Sequence, residues 1–262
     1  MNTLIEKDFI LKAIRENFDE EVYLVGGAVR DFLNGKAVVD RDLLILDKNV
    51  KEFSQHLAEF FNATFIELDA ENQIYRLVLK DKINYLDITK PLNNSIEEDL
   101  KHRDLTINSL AVNLKTYQIT DPTGGYDDFK KGILRCFNES AITDDPLRLL
   151  RFFRFQAIYG FKLDEQTKEW VKKYKNLLER PAVERKNYEI IRLFSGAFAH
   201  EAILTMDECG LLEYLFPFVN DYKKVPPNAH HHLDLFHHLV ETVKQIQLII
   251  SLYKLLCKDS FI

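Results

Sequence analysis

The chain has 262 residues, 46% of them apolar and 29% charged, a mixture that excludes a disordered tail, a collagen repeat or a coiled-coil rod and suits one large or two modest domains. With 35 basic residues against 41 acidic ones the net charge is −6, so bulk charge does not hold a nucleic acid here, and any polyanion must meet a local patch. No apolar stretch reaches the roughly 20 residues of a membrane span, and the opening MNTLIEKDFI lacks the features of a signal peptide, so the expectation is a cytoplasmic protein without a membrane partner.

From residue 22 to about 135, short β-branched or aromatic runs alternate with helical stretches. Strands are expected at Val22–Val25, Leu43–Leu46, Ala63–Leu68, Tyr75–Leu79, Asn84–Thr89 and Leu110–Leu114. After Asp144-Asp145-Pro146 the pattern turns helical, over Leu147–Tyr159, Thr167–Leu178 and Val183–Phe198. Asp145 before Pro146 reads as an N-cap with proline at the first helical position. Residues 146–192 carry twelve basic side chains against six acids, which makes them either a solvated helical surface or a strip facing RNA, with Lys172, Lys173 and Lys175 its densest part. Cys136, Cys209 and Cys257 lie too far apart for a zinc knuckle or a disulfide framework.

Two motifs carry chemistry. Tyr23-Leu24-Val25-Gly26-Gly27-Ala28-Val29-Arg30-Asp31 runs from strand through paired glycines into a helix, an arrangement in which backbone N–H groups approach a phosphate and Arg30 adds charge, or which is simply a turn. Asp40-Arg41-Asp42 leads into an apolar run. In extended chain acids at i and i+2 project from one face, and hard oxygen ligands so spaced suit magnesium (Mg2+) bound together with phosphate oxygens. Asp87, on another β-like run, is a third acid able to complete the site or to face water from an edge strand.

Gly-Gly-x-Val-Arg-Asp followed by Asp-x-Asp-Leu resembles the opening motif of the tRNA nucleotidyltransferase and poly(A) polymerase family, within the DNA polymerase β superfamily. Further motifs follow in order. Arg103-Asp104-Leu105-Thr106-Ile107-Asn108 resembles the second, which implies that Arg103, Asp104 and Asn108 hold the ribose and phosphates of a nucleotide. Asp121-Pro122-Thr123-Gly124-Gly125 resembles the turn that leaves the head, and Asp144-Asp145-Pro146-Leu147-Arg148 with Arg151, Arg154 and Phe155 the base-reading motif. Glu184-Arg185 and Glu189 resemble the motif that brace the neck.

The resemblance implies an α+β fold: a polymerase β-like catalytic head with mixed sheet and helices over 1–140, a helical neck over 141–200 that reads base and RNA, and a helical body over 201–262. It implies Asp40 and Asp42 as metal ligands, Asp40, Asp42 and Asp87 as the catalytic acids, and Gly26, Gly27, Arg30, Arg103, Asp104, Asn108, Asp145, Arg148, Arg151 and Arg154 as nucleotide-binding. Cytosine and adenine each present an amino donor beside a ring-nitrogen acceptor, so Asp145 accepting and Arg148 donating can pair with either, while uracil and guanine leave both protein groups unpaired.

The expected activity is transfer of C and/or A from CTP and/or ATP to the 3′ end of tRNA, with poly(A) polymerase and an inactive RNA-binding fragment as alternatives. Only thirteen residues, Ile88–Leu100, separate Asp87 from Lys101-His102 and the second motif; a shortened segment there resembles members specialised for CC or for A. The histidines at 230, 231, 232, 237 and 238 resemble the start of an HD-type phosphohydrolase domain, but no His-Asp pair follows, and the chain reads as shortened or a fragment.

Overall fold

Runs of β-branched and aliphatic residues too short for helices build the first of two compact units, which extends to Phe129. The computed structural model describes residues 2–258 apart from 37, 47, 48 and 231, with side chains described from residue 5 to 253. In chain order the unit contains α1 (Asn2–Lys7), α2 (Phe9–Asn17), β1 (Val22–Val25), α3 (Gly27–Leu33), β2 (Asp40–Ile45), α4 (Val50–Phe61), β3 (Thr64–Asp69), β4 (Ile74–Val78), β5 (Tyr85–Thr89), α5 (Ile96–Lys101), β6 (Ala111–Asn113) and β7 (Ile119–Thr120). Then α6 (Gly125–Lys131) leads out of it.

The strands form one mixed seven-stranded sheet in the order β3-β4-β5-β2-β1-β6-β7. Only β2 and β5 pair in parallel; the other neighbours are antiparallel. Alternation decides which side chain meets which face. Arg41, Leu43 and Ile45 of β2 turn one way, and Leu43 and Ile45 join the main core with Ile10 and Ile14 of α2, Val29 and Phe32 of α3, and Leu57 of α4. Each such aliphatic residue, fully buried, contributes about 1.5–3 kcal/mol. Asp40, Asp42 and Leu44 turn the other way, where among the described residues a small cluster of Val25, Leu44, Ile96, Leu100 and Ala111, flanked by Tyr23 and Leu46, packs on the sheet. The acids therefore lie on the sparsely covered face, and a one-residue slip would bury them.

Arg41, between the two acids, points into the core and is 3% exposed. It is kept there by Asp8, whose Oδ2 accepts from Nε at 3.0 Å and Nη2 at 2.6 Å, while Nη1 donates to Asn84 Oδ1 at 2.9 Å. Asp8 also caps α2, accepting from the backbone N–H of Ile10 and Leu11.

The second unit begins at Lys130 and contains β8 (Ile133–Leu134), α7 (Ser140–Asp144), α8 (Arg148–Tyr159), β9 (Lys162–Leu163), α9 (Glu165–Tyr174), α10 (Val183–Phe194), α11 (Ala199–Glu208), α12 (Val219–Tyr222) and α13 (Leu235–Lys258). Buried Leu149, Leu150, Phe152 and Phe153 make α8 its central helix, packed against α10 and α11. Gly196 permits the close approach that follows α10: a Cβ there would lie 2.4 Å from the Ala157 carbonyl oxygen.

The expected helices shorten at their ends. The helix at α8 starts at Arg148, after a tight turn in which the Asp145 carboxylate accepts from the Leu147 N–H at 3.3 Å, so Asp145 caps a turn that precedes the regular helix. The stretch expected to run to Leu178 leaves α-helical geometry at Tyr174 for a 3-10 turn over Lys175–Glu179. The one expected to reach Phe198 stops at Phe194, before Ser195-Gly196. Two-residue strands β7, β8 and β9 have too few residues to show a period. No described helix is long and apolar enough to cross a membrane.

Candidate active site

The register of β2 on β5 sets Asp42 directly beside Asp87. Carboxylate oxygens of Asp40, Asp42 and Asp87 lie within 4.8 Å of one another, and among the described residues these form the group of His, Cys, Asp and Glu side chains placed to hold a metal ion. Three hard oxygen donors fit a divalent cation of the magnesium or calcium kind. Electrostatics agree with that fit. Burial pushes the Asp42 carboxyl up from 3.8 to about 6 against the pull of Arg103, with Asp40 and Asp87 raising it further. Asp40 is also raised, first by burial and then by Asp87. A cation among them would favour the ionised forms.

Gly26 ends β1 at the edge of this cluster with φ +68°, in the left-handed region that favours glycine. A Cβ there would lie 2.6 Å from Arg103 Nη1 and 3.2 Å from Asp42 Oδ2. Any larger residue therefore displaces the arginine. Arg103 is held from behind by Asp99, whose Oδ2 accepts from Nε at 3.2 Å and Nη2 at 3.1 Å. The other oxygen of Asp99 accepts from the Leu92 N–H at 3.3 Å, so one carboxylate links the short segment after β5 to Arg103.

Arg30, Asp104 and Asn108 are brought together, but inside the protein. Arg30 is 7% exposed and donates to Asn108 Oδ1 and, at 3.2 Å, to Asp31; Asn108 Nδ2 donates to Asp104 Oδ1 at 2.9 Å. A Cβ at Gly27 would touch the Arg30 guanidinium at 3.3 Å. This chain of hydrogen bonds braces the glycine turn from beneath. Asp121 supports the next motif, accepting from the N–H groups of Thr123, Gly125 and Tyr126.

In the second unit, Asp145, Arg148 and Arg151 are half-buried at the start of α8. Arg148 Nη1 donates to the Ala141 carbonyl at 3.2 Å, and Asp145 Oδ2 faces Arg185 Nη2 at 3.5 Å. Arg154 differs: its Nε lies 3.1 Å from Glu189 Oε2, with side chains only 9% and 6% exposed. It is a buried strut between α8 and α10: six residues beyond Arg148 it is turned about 120° around the helix, onto the side packed against α10.

Lys172, Lys173 and Lys175 each carry an acid, Glu169 at 2.8 Å, Glu139 at 2.7 Å and Glu213 at 3.2 Å. Sequence counting missed Glu139 and Glu213, which are distant in the chain. Among the described histidines His237 pairs with Asp234 at 2.7 Å, and none joins a group suited to metal; His231 lies outside the described residues. Cys136 and Cys209 are buried thiols, and the side chain of Cys257 lies outside the described residues.

Residues missing from the sequence reading are Arg76, Asp99 and the Asp8–Arg41 pair. Arg76 of β4 stands opposite Asp87 and grips both its oxygens, Nε to Oδ1 at 2.7 Å and Nη2 to Oδ2 at 2.6 Å. An arginine inside a mostly apolar strand was the available signal.

The poly(A) polymerase head-domain model matches residues 22–135, which contain the acids and the glycine turn, and a model described as the probable RNA- and SrmB-binding site of polymerase A matches residues 160–223. The chain belongs to the tRNA nucleotidyltransferase and poly(A) polymerase family. Among relatives in this family, the A-adding tRNA nucleotidyltransferase of Deinococcus radiodurans is 33% identical over 228 residues, which are 85% of this chain and 51% of the relative. The CC-adding tRNA nucleotidyltransferase of Shouchella clausii is 33% identical over 196 residues, 74% of this chain and 50% of the relative. A Thermotoga maritima CCA-adding enzyme solved in complex with tRNA superposes with a TM-score of 0.74 at 28% identity, over 82% of this chain and 55% of that one. The chain thus spans about half the length of the family members it matches.

Proposed function

We propose that this protein extends the 3′ end of tRNA with C and/or A, taking CTP and/or ATP and releasing pyrophosphate. The observation that carries the reading is the cluster of Asp40, Asp42 and Asp87 within 4.8 Å, beside a glycine turn against which the Arg103 guanidinium packs. The Deinococcus and Shouchella relatives are tRNA nucleotidyltransferases, which supports tRNA as the acceptor, and the two differ in the nucleotide they add.

Asp40 and Asp42 are the residues that hold the ion, which we assign as magnesium, and Asp42 binds it in its ionised form. Bound there, a divalent cation lowers the pKa of the RNA 3′-hydroxyl and offsets charge on the α-phosphate. Arg103 lies close enough to Asp42 to lower its pKa and brings positive charge to the same rim, where a triphosphate would meet it. The hydroxyl oxygen forms the new bond to phosphorus as the bond to pyrophosphate breaks, and the hydroxyl proton passes to solvent. Asp145 and Arg148 read the base, one accepting from its amino group and the other donating to its ring nitrogen.

Incubation with tRNA lacking one, two or three terminal residues, each triphosphate supplied separately, tests this. Addition of C to the two shorter acceptors, of A to the longest, or of both supports the reading and names the nucleotides. A long run of A on any RNA would point to poly(A) polymerase instead. No incorporation with any acceptor would leave an RNA-binding member of the family without transferase activity.

A further inference from the structure

Asp87 is the acid of the cluster whose oxygens are both taken. Arg76 forks them at 2.7 and 2.6 Å, the planar two-bond match in which a guanidinium fixes the direction of a carboxylate as well as its place. The pair is built into the sheet: Arg76 and Asp87 are register partners of antiparallel β4 and β5. Tyr85, two residues before Asp87, sets its ring 5.6 Å from the guanidinium carbon. Asp42 is the register partner of Asp87 on the other side. Asp87 thus stands between an arginine that holds it and an acid that it repels. Against the three acids stand the positive charges of Arg76 and Arg103, both of which lower the pKa of Asp42.

Resting on the metal reading above, we propose that Arg76 is a positioning residue that withholds Asp87 from the ion in the nucleotide-free protein, so that Asp40 and Asp42 alone set how tightly a divalent cation is held. With both oxygens committed and its charge offset, Asp87 contributes little attraction. Removing the guanidinium frees a third carboxylate within 4.8 Å of the other two, and the free protein then binds the ion more tightly than it should.

The test is binding of Mn2+ alone to the intact chain without nucleotide, followed by the loss of the free-ion electron paramagnetic resonance signal, with thermal melts to check folding. Arg76→Met should tighten Mn2+ about tenfold, and adding Asp87→Asn to it should return the affinity to within about threefold of wild type. Loss of a merely structural strand contact would produce no such gain and reversal. Arg76→Lys keeps the charge but cannot fork both oxygens; it should tighten binding about threefold, and it decides the matter if the methionine variant does not fold. Folded Arg76 variants that bind Mn2+ no better than wild type overturn the proposal while leaving the metal site standing. Wild type that takes up no Mn2+ at millimolar concentration removes the metal assignment and this inference with it.

Discussion

Arg154 of α8 and Glu189 of α10 form an ion pair at 3.1 Å with both side chains nearly out of solvent. Burying two charges gains little net stability, but removing one strands the other. Glu189→Leu alone or Arg154→Met alone should therefore destabilise the chain by about 3–5 kcal/mol, and the double variant should recover most of that loss. Urea unfolding of the three variants measures it; equal losses that simply add would show that the two side chains do not depend on one another.

Asp42 gives a stability prediction with a definite sign. Its carboxyl rises from 3.8 to about 6 on folding, so between those values the folded chain holds more protons than the unfolded one. Stability therefore falls as pH rises through about 4 to 6 and levels off above. In the presence of a chelator, Asp42→Asn should escape that loss and be more stable than wild type at pH 7.5 by on the order of 1–2 kcal/mol, partial exposure trimming the full shift. Nucleotide addition should be abolished in the same variant. Thermal melts from pH 4 to 8 check this, and a variant that melts below wild type at pH 7.5 would contradict it.

Arg148→Ala should raise the apparent constants for CTP and ATP and narrow their advantage over UTP and GTP. A charged hydrogen bond to the base is worth roughly 1.5–3 kcal/mol, or about tenfold to a hundredfold in selectivity. Single-nucleotide incorporation with each triphosphate measures it. An equal fall for all four would move Arg148 from the base to a phosphate or to RNA.

RNA binding should weaken with salt, but the lysines of α9 and the following turn should account for less of it than their number suggests. Three full contacts to a single strand would contribute about 2 to the slope of log K against log salt. Glu169, Glu139 and Glu213 already neutralise these ammonium groups. Replacing Lys172, Lys173 and Lys175 with alanine should therefore change the slope by less than about 1. A filter-binding salt series decides it, and a larger change would mean that RNA displaces the glutamates.

The sheet was legible because its strands carry strong local signals. Asp40 and Asp42 were legible for the same reason: acids two apart before an apolar run have one geometric outcome in extended chain. Arg76 was within reach as well. Closing the hairpin between Leu79 and Asn84, whose backbones bond at 3.1 Å, sets Arg76 opposite Asp87. Partners such as Asp8 for Arg41 were out of reach, since they follow from how α2 lies on the sheet. Arg154 misled because a helix face read from charge alone does not say which side another helix will cover, and α10 covers that one.

Pairing β2 in parallel with β5 obliges the chain to travel through α4, β3 and β4 before Asp42 meets Asp87. During synthesis the strand bearing the first two acids is complete by residue 45, yet its neighbour ends only at residue 89, and β1 gains its second flank with β6, at residues 111–113. Until then the nascent chain carries bare strand edges rich in valine and leucine, the kind of surface that mispairs with its copies. The arrangement that brings the acids together also keeps the sheet of the head incomplete until β6 and β7 have emerged, and leaves its open edges exposed to mispairing during that interval of synthesis.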